Sequence, residues 1–64
     1  MTIASWPAEL ALLEPITTHA ELDAWWLPRA VAINRLAVTD WGEWLRVSNA
    51  VEAARTRINF RTAA

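Results

Sequence analysis

Cysteine and lysine are both missing from this 64-residue sequence, and glycine occurs once, as Gly42. Without cysteine there is no disulfide and no thiolate metal site. There is one histidine, His19. A metal centre needs several strong ligands, so no metal and no cofactor is expected. A single glycine also excludes a glycine-rich phosphate loop. The lack of lysine leaves six arginines as the only basic side chains besides His19. Arginine favours planar, bidentate, partly buried contacts, although a GC-rich genome produces the same bias. No run approaches the roughly 18 apolar residues of a membrane span. Met1 to Pro7 lack the basic start and apolar stretch of a secretory signal. These absences predict a soluble, cytoplasmic chain of a bacterial or virus-infected cell.

What is present is apolar. Hydrophobic residues make up 55% of the chain, including Trp6, Trp25, Trp26, Trp41 and Trp44. The length suits one domain, divided as an N-terminal arm (1–17), a helical body (18–60) and a tail (61–64). A chain this short buries only about 60% of the surface it exposes when unfolded. Small domains need a staple, and with disulfides and metals excluded, association with another chain is the one left. Tryptophan is enriched at such interfaces.

Charge is divided unevenly. The net charge is −1, which argues against a general polyanion binder. Residues 1–28 hold Glu9, Glu14, Glu21 and Asp23 and no arginine, whereas 29–64 hold every arginine.

Local signals predict helices. Ser5 and Pro7 suit the start of a short helix that Pro15 stops, with an extended arm as the rival. Thr18 and Glu21 form a capping-box pattern opening a second helix. Pro28 ends or kinks it. Trp26, Ala30, Ile33, Ala37, Asp40, Trp44, Val47, Val51, Ala54 and Ile58 follow alternating steps of four and three. That is the stripe of a helix packing along another helix. Asp40 is its one polar member. If Asp40 caps a new helix, with Glu43 as box partner, the chain forms a hairpin of about 19–38 against 40–60. If not, one long kinked helix runs to Phe60. The fold class is therefore all-α, a short N-terminal arm or helix followed by a helical hairpin or one long kinked helix, and oligomeric.

Chemistry finds little to work with. His19 lies at a helix start near Glu21 and Asp23, where a solvated histidine accounts for it. Glu21 and Asp23 face different directions on a helix. Ser5 and Ser48 have no motif around them. The chain is read as a non-enzyme.

The expected function is a protein–protein contact, through self-association or incorporation into a larger assembly such as a structural or accessory subunit of a bacteriophage, with a virion as one location. The expected interface is Ile3, Trp6, Trp25, Trp26, Ile33, Trp41, Trp44, Val47, Val51 and Ile58. Trp26 and Trp44 are expected in the core, and Trp25 and Trp41 at an edge or an interface. The alternative is a small DNA-binding regulator or an inhibitor of a host protein. Arg46, Arg55, Arg57 and Arg61 would then meet phosphates.

Overall fold

The computed structural model describes residues 5–62, and every regular element among them is helical. Helix α1 spans Trp6–Ala11, α2 His19–Trp26, α3 Ala30–Thr39 and α4 Trp41–Thr62, with a 3-10 turn at Leu27–Arg29 between α2 and α3.

Each boundary has a local cause. Ser5 is extended at the N-cap of α1, with Pro7 in the first turn, but its side chain makes no capping bond. The helix tightens at its end, where Leu13 N–H donates to Leu10 O at 3.0 Å and Glu14 N–H to Ala11 O at 3.3 Å, just before Pro15. At α2, the Thr18 hydroxyl oxygen accepts from Glu21 N–H at 3.2 Å. The Glu21 carboxylate accepts from the Thr17 and Thr18 hydroxyls at 3.2 and 3.0 Å. Pro28 cannot donate to the preceding turn, and the α-helix gives way there to the 3-10 turn.

The helix breaks again at Asp40, whose φ of −154° and ψ of 84° are not helical. Its Oδ1 accepts from Glu43 N–H at 3.2 Å, and its carbonyl accepts from Trp44 N–H at 3.0 Å. Asp40 thus ends α3 and caps α4, while the Glu43 carboxylate pairs with Arg46 Nε at 3.2 Å. Both helices keep the same apolar phase because both stripes face one core.

Helix α4 is the spine. Its 22 residues make about 33 Å at the usual rise, close to the 39 Å long axis of the molecule. Helices α1, α2 and α3 all pack against it. The core is Leu13, Ile16, Leu22, Trp25, Ile33, Val47, Val51, Ala54 and Ile58. Leu13 and Ile16 come from the segment expected to be an arm, so that segment is part of the folded body. Helix α4 likewise continues through Arg61 and Thr62, into the expected tail.

Gly42 lies in the exposed first turn of α4 without positive φ. A Cβ there would meet only Asp40 Oδ1, at 3.8 Å, an ordinary contact. Gly42→Ala is expected to stabilise the chain by about 0.5–1 kcal/mol, by cutting the entropy of the unfolded state. A thermal melt should show a midpoint several degrees higher.

Candidate interaction surface

The structure sorts the residues expected at an interface into four groups. Ile3 lies outside the described residues. Trp25, Ile33, Val47, Val51 and Ile58 are buried within the chain, Val47 and Ile58 completely. These five pack within the chain, where α1–α3 close over the α4 stripe. Trp6, Trp26 and Trp44 are half-buried against the same core. Trp41 is 57% exposed, stacked on Trp44 with ring centroids 4.6 Å apart and planes 17° from parallel.

Of the two adjacent tryptophans, the one expected inside is the less buried, though it still packs against the core. Trp25, expected at an edge, is in the core, and Trp26, expected in the core, is half-buried. Trp25 turns inward because its indole N–H finds an acceptor there, the Glu9 carbonyl of α1 at 3.0 Å.

That contact belongs to a cluster the sequence does not reveal. Arg29 is buried. Its Nε and Nη2 donate to Glu9 Oε2 at 2.9 and 2.7 Å, and its Nη1 donates to the Trp25 carbonyl at 2.6 Å. The guanidinium carbon lies 4.8 Å from the Trp25 ring centroid, a cation–π distance. The one usable signal is phase: Trp25, Arg29 and Ile33 are spaced by fours, so Arg29 occupies an inward position.

The arginines of α4 are largely engaged. Arg46 pairs with Glu43, and Arg55 with Glu52. Arg57 Nη2 donates to the carbonyls of Leu13 and Ile16, both at 2.8 Å. Arg61 is exposed. Arg57 therefore ties the segment after α1 to α4. Arg57→Ala is expected to cost about 1–3 kcal/mol, the range for charge-assisted bonds whose acceptors lose their partner. Amide hydrogen exchange should show faster opening of residues 12–18 than of α3.

His19 is exposed, and its Nε2 lies 2.7 Å from Asn59 Oδ1 on α4. Its observed partner is an amide rather than a carboxylate. Among the described residues no group of three or more His, Cys, Asp or Glu could hold a metal ion, and no helix is long and apolar enough to cross a membrane.

Several large apolar side chains remain exposed among the charged ones. Leu27, Val31 and Val38 are 71, 72 and 89% exposed. Their spacing of four and seven places them on one side of the 3-10 turn and α3, turned away from Ile33. Beside them lies a shallow groove of about 390 Å³ lined by Pro28, Val31, Ala32 and Arg35. A second groove, of about 320 Å³, runs between Trp26 and the α4 residues Trp44, Ser48, Val51, Glu52 and Arg55. Comparison with family models, curated proteins and solved structures finds no match for this chain.

Proposed function

We propose that the chain is a non-enzymatic protein-binding module, a small subunit that works by presenting the outer face of the 3-10 turn and α3 to another protein surface. The observation that carries this is the exposure of Leu27, Val31 and Val38 in register, on a chain whose inner stripe is already covered by its own helices. Single exposed apolar residues need no explanation, but large ones gathered on one face favour an interaction surface. Trp41 and Leu45, exposed at the start of α4, supply further apolar area. Nucleic-acid binding through the α4 arginines has less support, because Arg46, Arg55 and Arg57 are held by groups of the chain itself.

Site-specific photo-cross-linking in cells that make the chain tests this proposal. A photoreactive residue at Val31 should give a protein adduct, and one at Ala53, exposed on α4, should not. No adduct from Val31, or equal adducts from both positions, would overturn it.

A further inference from the structure

The outer row runs further than its three large members. Ala20, Ala24, Leu27, Val31, Asn34 and Val38 are all exposed, and they follow steps of four, three, four, three and four. On the inner side, Leu22, Trp25, Arg29 and Ile33 are buried in steps of three, four and four. The inner set shows that the helical phase carries across the 3-10 turn at Pro28, so the outer set is one continuous face. A seam at that spacing is built to meet a second helix with the same spacing.

Resting on the protein-binding reading above, we propose that the occupant of this face is a second copy of the chain, packed antiparallel about a two-fold axis near Pro28. Charge carries the orientation. Glu21 follows Ala20, and Arg35 follows Asn34, so the two lie on the same edge of the row, at opposite ends. In a parallel pair this edge would meet the opposite edge of the partner, and neither Glu21 nor Arg35 would gain the other as a neighbour. An antiparallel pair brings like edges together with the ends reversed, and Glu21 of each copy then faces Arg35 of the other. Among the described residues Arg35 forms no ion pair. Glu21 accepts two hydroxyl bonds and keeps lone pairs to spare.

Side-chain size agrees with the same arrangement. Reversing the row against itself places Leu27 against Val31, Ala24 against Asn34 and Ala20 against Val38. Each small residue meets a larger one, and the two largest fill the centre. Asn34 within the seam would fix register, the established use of a lone amide at such a position. The groove of Pro28, Val31, Ala32 and Arg35 lies along the charged edge, at the middle, where two-fold symmetry brings the copies closest. A closed two-fold contact of this kind uses one patch on both subunits.

Analytical ultracentrifugation of the purified full chain, from low micromolar to millimolar concentration, tests the proposal. The mass should move from one copy, 7.2 kDa, to two. Val31→Glu should weaken the dimer about a hundredfold or more, since it places a charge in the seam of each copy. Arg35→Glu should weaken it about tenfold, because two attractions become two repulsions. Glu21→Arg combined with Arg35→Glu should restore it. Circular dichroism should show unchanged helix in every variant, as all three positions are exposed.

A wild-type chain that stays monomeric throughout overturns the dimer. The Val31 cross-link then separates the two ideas: an adduct with a different protein preserves the binding-module proposal, and no adduct ends both. A dimer indifferent to Val31→Glu uses another face and overturns the seam. A double variant no tighter than Arg35→Glu overturns the antiparallel orientation.

Discussion

Arg29→Ala is expected to leave much of the chain unfolded at room temperature. Three donors of the guanidinium are satisfied inside the structure, two by Glu9 and one by the Trp25 carbonyl. The side chains of Arg29 and Glu9 are 10 and 19% exposed. Removing the arginine strands a carboxylate with little water, leaves the Trp25 carbonyl short of a donor, and takes the cation from the indole face. Breaking a buried pair from one side costs about 3–5 kcal/mol. A domain of this length has roughly 3–10 kcal/mol in total, so the loss is comparable to the whole. Arg29→Met with Glu9→Leu should be far milder, since no uncompensated charge remains. Urea unfolding followed by tryptophan fluorescence checks both. If Arg29→Ala unfolds at nearly the wild-type urea midpoint, the cluster is only a surface contact.

Val51→Asp is expected to abolish cooperative folding. Val51 is 5% exposed in the α4 row that includes Val47, Ala54 and Ile58. The change forfeits about 1.5–3 kcal/mol of apolar burial and adds the larger penalty of an ionised carboxylate with no partner. From the sequence, loss of assembly and loss of folding are equally good outcomes. The structure separates them: Val51 is covered by its own chain, so the variant should lose helical circular dichroism. Val31→Glu should keep its helix and lose only association. A Val51→Asp chain with native helicity and a sharp melt would refute the core assignment.

The parts of the fold legible in the sequence are those with local chemistry. Thr18, Pro28 and Asp40 mark their boundaries because a cap or a missing N–H acts within one turn. The inner stripe at Ile33, Val47, Val51, Ala54 and Ile58 is legible because spacing alone reports a face. The hidden parts depend on residues far apart in the chain. Trp25 and Trp26 point about 100° apart on a helix, and which one turns inward is decided by Glu9 of α1 and by where α4 lies. Arg29 at an inward position reads as a solvated charge until its partner 20 residues earlier is known. Leu13 and Ile16 sit in a non-periodic stretch beside Pro15, where no pattern marks them as core. The outer row escapes notice because alanines and Asn34 fill half of it, and the stronger inner stripe dominates the same segment.

The packing of the first half of the chain on the end of α4 orders events during synthesis. Arg57 holds the carbonyls of Leu13 and Ile16, Ile58 belongs to the core with them, and Asn59 meets His19. A nascent chain halted before residue 57 has made α1, α2 and most of α4, but lacks the Arg57, Ile58 and Asn59 contacts that hold the Leu13–His19 stretch. Isolated helices of 6 and 8 residues are too short to persist in water. The stretch from Leu13 to His19 therefore gains its last contacts only once residues 57–59 have left the ribosome.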